Sequence, residues 1–310
     1  MTEITPHPPT KKRFHNLRHN PVTMKELRGR MRGRRAFVVL TVYLLVMSLF
    51  IVLVYTAFAS SASGPFGPDP REVGKVIFGC VVGVQVFLVI FVGPSFTAGT
   101  ITGEKERQTY DLLRTTLLSA NAFVMGKLIS ALSYVFLLIF AAIPLQSIAF
   151  LLGGVTFSEL FVSQIIIFVA AVAFALWGLF CSSWMRTTLG ASVATFAGAL
   201  FFTVGIPMLA GLFAAIISPL LIGVSVFSRT MELLLQLGLL LLAATNLPAA
   251  LIVSDFILFE EGALFAFKST TGSSTIWLPS PWWIFLILYA VGSLLLYWMC
   301  VRNVRKIATR

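Results

Sequence analysis

Charged residues are scarce in this chain. Only 11% of its 310 residues are Asp, Glu, Lys or Arg, whereas 58% are hydrophobic, and the mean hydropathy is +0.93. Soluble domains carry about 25% charged residues, so the composition excludes an ordinary soluble domain. The short segments of alternating polarity that form membrane β-barrels are also lacking.

Residue types that carry catalysis or bind metals are rare as well. The sequence has three histidines, all before residue 20, and three cysteines that lie about a hundred residues apart. P-loops bind nucleotide phosphates through the pattern Gly-x-x-x-x-Gly-Lys-Ser/Thr, and the nearest candidates, 99–105 and 262–269, do not match it. In the first, Glu104 and not lysine follows Gly103; in the second, Phe267 replaces the glycine before Lys268. We therefore predict no enzyme activity, no catalytic or metal-binding residues, and no cofactor bound by this chain.

Long apolar runs dominate what is present. A helix needs about 20 apolar residues to cross the roughly 30 Å hydrocarbon core of a membrane. Uncharged runs of that length occupy residues 36–58, 76–103, 128–158, 160–185, 187–228, 233–254 and 269–301. The sequence therefore predicts an all-α polytopic membrane protein.

The positions of the basic residues indicate its orientation. Of the 23 Lys and Arg residues, 19 fall within 11–35, 105–127, at Arg186 or in the tail 302–310. The positive-inside rule places these groups in the cytoplasm, which predicts a multi-pass protein of the cell membrane with both termini cytoplasmic. Topology and anionic membrane lipids also account for the net charge of +11 without any nucleic-acid partner.

Both termini can be cytoplasmic only if the number of spans is even, whereas the sequence has seven apolar runs. We therefore expect one run not to cross the membrane. Run 233–254 is interrupted by Asn246 and Pro248, and acidic residues follow it. We predict six spans in a permease domain of 36–301, with short re-entrant or outer-face helices at about 219–259, between the fifth and sixth spans. The alternative is eight spans, with 187–228 folded as a hairpin.

The segment before the first run is basic. Asn20-Pro21 suits a helix start, and Val22, Leu27 and Met31 recur among Lys and Arg residues. We predict a disordered cytoplasmic tail at 1–20 and an amphipathic helix on the membrane surface at 21–35, with a disordered basic arm as the alternative for the latter. The surface residues of this helix are Lys25, Glu26, Arg28, Arg32 and Arg35.

A mixed-charge stretch separates the second and third runs. Glu104, Arg107, Asp111 and Arg114 are spaced three or four residues apart, as on one side of a helix. This spacing favours an amphipathic helix beside the membrane and an ordinary solvated loop about equally. On either interpretation, charges held in water between two spans form a surface that a soluble protein can bind.

Two stretches carry motifs of a known family. The first is Gly103-Glu104-x-Glu106-x-x-Thr109-x-Asp111-Leu112-Leu113-x-Thr115-x-Leu117-x-Ser119, followed by Gly126-Lys127, and the second is Asn20-Pro21-Val22-x-x-Lys25-Glu26-Leu27-Arg28. Together they resemble ABC transporter permeases of the type-2, exporter-like class. Two positions depart from the family pattern: Gln108 replaces a usual Gly, and Thr115-Thr116 replaces Thr-Pro.

The resemblance implies a permease subunit that exports substrate with ATP hydrolysed by a separate soluble ATPase, which binds the ATP and Mg²⁺. It also implies a second permease copy, identical or related, surrounded by lipid. The cytoplasmic loop 103–127 would couple ATP hydrolysis by the ATPase to transport by the permease. The residues implied in the ATPase interface are Glu104, Glu106, Arg107, Asp111, Leu112 and Leu113.

The alternative is an ion-coupled secondary transporter or channel without an ATPase. Such proteins place ionisable groups inside the membrane, and the nearest ones here are Glu159, Glu232 and Asp255. We expect these three side chains to be solvated caps at the outer face. Spans without buried charge suit an apolar or amphipathic cargo, and the sequence narrows the substrate no further.

Overall fold

The computed structural model describes residues 34–61, 69–108, 119–222, 229–262, 264–271 and 274–309. The predicted tail 1–20 and nearly all of the predicted surface helix 21–35 lie outside these ranges. The α-helices are α1 Arg34–Ser61, α2 Pro70–Phe87, α3 Gly93–Ala98, α4 Thr102–Glu106, α5 Ala120–Leu151, α6 Phe157–Trp184, α7 Thr188–Leu200, α8 Ile206–Ile222, α9 Arg229–Thr245, α10 Leu247–Glu261 and α11 Pro281–Thr309.

Two π-helical turns and one β-hairpin connect helices in the described part of the chain. A π-helical turn, Leu88–Val92, joins α2 to α3, and a second one, Phe201–Gly205, joins α7 to α8. Strands β1 Ala266–Thr271 and β2 Ser274–Pro279 form an antiparallel hairpin before α11.

Six helical segments within the described ranges are long and apolar enough to cross a membrane, which confirms the predicted number. In chain order, spans 1 to 6 are Phe37–Ser60, Pro70–Glu106, Ala120–Leu151, Phe157–Trp184, Thr188–Phe213 and Pro281–Lys306. The long run 187–228 supplies one span and not the hairpin of the eight-span alternative.

Run 233–254 lies in α9 and α10, which meet at Asn246. The Asn246 side chain caps α10 by accepting a hydrogen bond from the Ala249 N–H at 3.1 Å, and Pro248 stands in the first turn. Neither helix reaches the length of a span within the described residues; the apolar part of α9 is Gln236–Thr245. The predicted helix break is therefore present, and insertion of these helices into the membrane stays a prediction.

The corner between α9 and α10 is hydrogen-bonded to span 5. Pro207 has no N–H, so the carbonyl of Thr203, four residues earlier, lacks its usual helical donor. The Asn246 amide donates to this carbonyl at 2.8 Å and to that of Phe202 at 3.0 Å. The π-helical turn of span 5 is thus stabilised by a side chain 43 residues away.

Span 4 is the centre of the bundle. Its most apolar window is 67% buried, compared with 6% for span 1, 11% for span 5 and 17% for span 6. Gly178 lets span 2 come close, because a Cβ added there would meet the Thr97 side chain and would lie 3.1 Å from the Pro94 carbonyl. Spans 1, 5 and 6 leave wide apolar faces for lipid or for another subunit.

The turn between spans 3 and 4 contains Gly153 and Gly154. Gly153 has a φ of +73°, a left-handed conformation that glycine adopts without strain. Gly154 lies directly against the backbone of Arg71 and Lys75 in span 2. The turn therefore also holds span 2 against spans 3 and 4.

Candidate functional site

Three consecutive residues at the end of span 2, Glu104, Lys105 and Glu106, each bond to a different span. We call them the anchor, and we call the end of the bundle that carries residues 103–127 the loop end. Glu104 bonds to span 3, Lys105 to the end of span 4, and Glu106 to the start of span 5. The entry into the loop is therefore joined to three other spans at once.

Glu104 forms a salt bridge with Lys127, with 2.7 Å between Oε1 and Nζ. The Lys127 side chain is only 2% exposed and that of Glu104 is 25% exposed. Lys127 also donates to the Thr100 carbonyl at 3.1 Å. Because a buried ammonium group is very costly without partners, these bonds explain how a lysine lies in the second turn of a membrane span.

Lys105 and Glu106 each complement a helix end. The Lys105 ammonium donates to the carbonyl oxygens of Ser183 at 2.7 Å and Met185 at 3.2 Å, where α6 ends. Glu106 Oε1 accepts from the Thr188 N–H at 2.7 Å, where α7 begins. A cation at a helix C-terminus and an anion at an N-terminus both interact favourably with the helix dipole.

Ser182 of span 4 joins the same region. Its hydroxyl oxygen accepts from the N–H groups of Ile101 at 3.0 Å and Thr102 at 3.1 Å, where span 2 is briefly irregular after Ala98. Backbone N–H groups at a helix start need such acceptors. The last turn of span 2 is thus held to span 4 by both backbone and side-chain contacts.

Gln108 ends the described part of the loop in a left-handed conformation, with a φ of +54°. It stands where the resembling family usually has Gly, and the backbone geometry explains that preference. A non-glycine residue pays about 1 kcal/mol or more for this conformation.

We expect Gln108→Gly to raise the free energy of unfolding by about 1 kcal/mol and Gln108→Val to lower it by about as much, because β-branched residues tolerate this conformation worst. Denaturant unfolding of the purified chain would measure both changes. Arg107→Gly is the matched control, since Arg107 is exposed with a φ of −81°. Equal loss of stability in Gln108→Gly and Arg107→Gly would contradict the left-handed geometry.

The remaining predicted site residues are placed only in part. Glu106, within the anchor, and Arg107, next to it, are both exposed. Asp111, Leu112 and Leu113 lie outside the described residues, as do Lys25, Glu26, Arg28 and Arg32 of the predicted surface helix. The backbone of Arg35 lies in the first turn of α1. Docking of an ATPase on these residues stays a prediction.

Three buried glutamines form a polar cluster that the sequence analysis missed. Gln146 donates to Gln85 at 2.8 Å, and Gln164 donates to Gln146 at 2.8 Å and to Gln85 at 3.2 Å. They come from spans 3, 2 and 4. Ionisable residues are the usual sign of function inside a membrane, whereas the sign here is one glutamine within each of three apolar runs.

Glu159 corrects one expectation. It does cap α6, since its carboxylate accepts from the Thr156 N–H at 2.7 Å. However, it is 4% exposed and not solvated. A carboxylate thus lies inside the bundle, at the end opposite the loop end. Among the described residues, no three His, Cys, Asp or Glu side chains are grouped so that they could hold a metal ion.

Comparison with protein families gives one match. The model described as ABC-2 type transporter matches residues 21–209, which is more than half of the chain. The chain belongs to the ABC-2 type transporter family. It is therefore the membrane permease subunit of an ABC transporter, and the resemblance drawn from its motifs is confirmed. No curated protein matches this sequence.

The matched residues include spans 1 to 4, the anchor and most of span 5. Members of this family are membrane subunits that in general depend on a partner ATPase and are not themselves catalytic. The anchor therefore lies in the part of the chain that the family shares.

Proposed function

We propose that this permease exports its substrate across the cell membrane with ATP hydrolysed by a separate soluble ATPase that docks on the loop 103–127. The ATPase would bind the ATP and Mg²⁺. One observation carries the proposal: the residues that begin the loop bond to spans 3, 4 and 5 and belong to span 2. A displacement of the loop would therefore move four spans together.

Within this proposal the loop residues have two different roles. Glu104 and Lys105 act as positioning residues, because their bonds lie within the chain and the second Glu104 oxygen, Oε2, is buried. Arg107 and the exposed carboxylate of Glu106 face the ATPase, together with Asp111, Leu112 and Leu113. The loop end and both chain termini are then cytoplasmic.

We further propose that a second permease copy, identical or related, covers part of the apolar faces of spans 1 and 5, and that lipid covers the rest. Both spans expose large side chains along their length, including Phe37 at 72% and Leu53 at 54% in span 1 and Leu189 at 78% in span 5. Their low burial distinguishes them from spans 2 to 4.

Purification of the tagged chain from its native membrane tests the docking. We expect a soluble protein with a P-loop motif to co-purify in fixed ratio. Reversal of the two loop charges in Arg107→Glu/Asp111→Lys should weaken its retention about tenfold or more, since reversed charges in an interface meet like charges. Arg71→Glu is the matched control, because Arg71 is exposed at the opposite end. Recovery of the chain alone, without ATP hydrolysis, would contradict the proposal and favour the ion-coupled alternative.

The anchor is tested in the same complex with Glu104→Lys, which leaves the residues proposed to face the ATPase unchanged. We expect ATP hydrolysis to continue while the movement of the spans is lost. A spin label at Leu209, which is exposed in span 5, would report that movement when ATP and vanadate trap the ATPase. A label response equal to that of the unmodified complex would remove the anchor from the mechanism.

A further inference from the structure

A cavity of about 210 Å³ opens between spans 2 and 4 and helix α10, at the end opposite the loop end. Its wall is mostly apolar and is formed by side chains such as Phe78, Val82, Ile166, Leu251 and Leu258. It extends along span 2 from Lys75 to Val86, a distance of about 16 Å at 1.5 Å per residue.

The cavity is polar at one end only. Lys75, Glu159, Ser254 and Asp255 line it there, and the lysine, the glutamate and the aspartate sum to a formal charge of −1. The Lys75 ammonium lies over the ring of Phe259, 3.4 Å from its centroid. Within the part of the chain that the structure describes, neither carboxylate has a basic group within salt-bridge distance.

Two buried oxygen atoms in this wall have no hydrogen-bond partner. They are Oε1 of Glu159, a residue 4% exposed, and Oγ of Ser254, a residue 1% exposed. Glu159 uses only Oε2 for the cap of α6. Buried polar groups normally have partners, because an unsatisfied one costs about 1–3 kcal/mol. A ligand with hydrogen-bond donors would satisfy both atoms.

The electrostatics also favour a positively charged ligand. Burial raises the pKa of the Asp255 carboxyl above its usual value, the Glu159 charge raises it further, and Lys75 lowers it. Two carboxylates that repel each other in a partly apolar site bind a cation more favourably than either one alone.

We propose that this cavity binds amphiphiles that carry a protonated amine, with the amine against Glu159 and Asp255 and one alkyl chain along the apolar wall. An amine supplies the hydrogen-bond donors that Glu159 and Ser254 lack, and the alkyl chain gains by leaving water for an apolar surface. A free alkylamine and a lipid with an amine headgroup share this chemistry.

The amphiphile has a route of entry. Gly79 and Gly83 line the cavity and are exposed, and a Cβ added at either position meets no atom within 4 Å. The cavity is therefore open along this side of span 2. Binding requires no ATPase and no movement of the loop, so its test is independent of the proposed function.

The test uses the full chain in phosphatidylcholine nanodiscs, with dodecylamine as the probe and dodecanol as the uncharged comparison. A ligand that binds only the folded state raises thermal stability in a saturable way. We expect dodecylamine, and not dodecanol, to do so. In Glu159→Gln/Asp255→Asn the apparent dissociation constant should rise about tenfold or more. Glutamine keeps the acceptor that caps α6, so this helix start is preserved.

Two further variants complete the experiment. Glu72→Gln/Glu260→Gln removes the same charge from two exposed carboxylates and should bind dodecylamine normally. Gly83→Leu adds a bulky side chain to the apolar wall at the open side of the cavity, keeps both cavity carboxylates and should abolish saturable binding; it also decides the matter if the double cavity variant does not fold. Unchanged binding in Gly83→Leu, or equal stabilisation by dodecanol, would overturn the proposal. Competition by phosphatidylethanolamine would identify the natural ligand as a lipid, and lack of competition as a free amine.

Discussion

Replacement of Lys127 by methionine is expected to lower the free energy of unfolding by about 3 kcal/mol. The change removes the ammonium group that pairs with Glu104 at 2.7 Å and leaves that carboxylate mostly buried. Loss of one partner of a buried pair costs about 3–5 kcal/mol, and the 25% exposure of Glu104 places the effect at the lower end. Denaturant titration of the purified chain, monitored by tryptophan fluorescence, would measure this change in the free energy of unfolding.

The double variant Glu104→Gln/Lys127→Met is the matched control. It removes both charges and keeps the side-chain volumes similar, so it should recover most of the lost stability. A single variant as stable as the unmodified chain would show that the pair does not form. Equal losses in the single and double variants would show that Lys127 acts through the Thr100 carbonyl instead.

A single methyl group at Gly154 is expected to have an effect of similar size. A Cβ there would overlap the backbone of Arg71 and Lys75, and on the other side Gly74 already faces the Ala149 carbonyl. Because backbone atoms cannot rotate away as side chains do, span 2 would have to separate from the turn between spans 3 and 4. We expect Gly154→Ala to lower the free energy of unfolding by about 3 kcal/mol, the upper range for overpacking.

Gly292→Ala in span 6 is the control for this substitution. A Cβ added at Gly292 meets no atom within 4 Å, so the same methyl group should be neutral or stabilising there by up to about 1 kcal/mol. The same denaturant titration would compare the two variants. Similar stabilities would contradict the close approach of span 2 to the turn.

The position of the anchor in the chain could be predicted from the sequence, but its contacts with other spans could not. The charges of 103–119 and the family motif predict a coupling site between spans 2 and 3, and the structure places the anchor at the end of span 2. The family resemblance implies that Glu104 and Glu106 face an ATPase, but a local motif does not show which other spans lie beside them. The structure places span 3 beside one carboxylate and the start of span 5 beside the other.

The glutamine cluster and the burial of Glu159, by contrast, are features that no sequence pattern indicated. Nothing near Gln85, Gln146 or Gln164 in the sequence indicates that they touch, since they are 18 to 79 residues apart. Glu159 lies between two apolar runs, where a solvated cap is the normal expectation, but α10 packs beside it and helps to enclose the cavity. Each surprise arises from a neighbouring helix that is distant in the chain.

The sequence alone predicts the class of the protein, the six spans and the break at Asn246, because the transfer of each segment into lipid depends on its own length and polarity. It also determined the family, through motifs that lie within short segments. The packing of the spans against one another establishes which charges pair inside the chain, which carboxylate is buried and where a cavity opens. Those features depend on contacts between residues that are far apart in the chain. Glu106 and Thr188, for example, are 82 residues apart, so no local sequence pattern indicates that they touch.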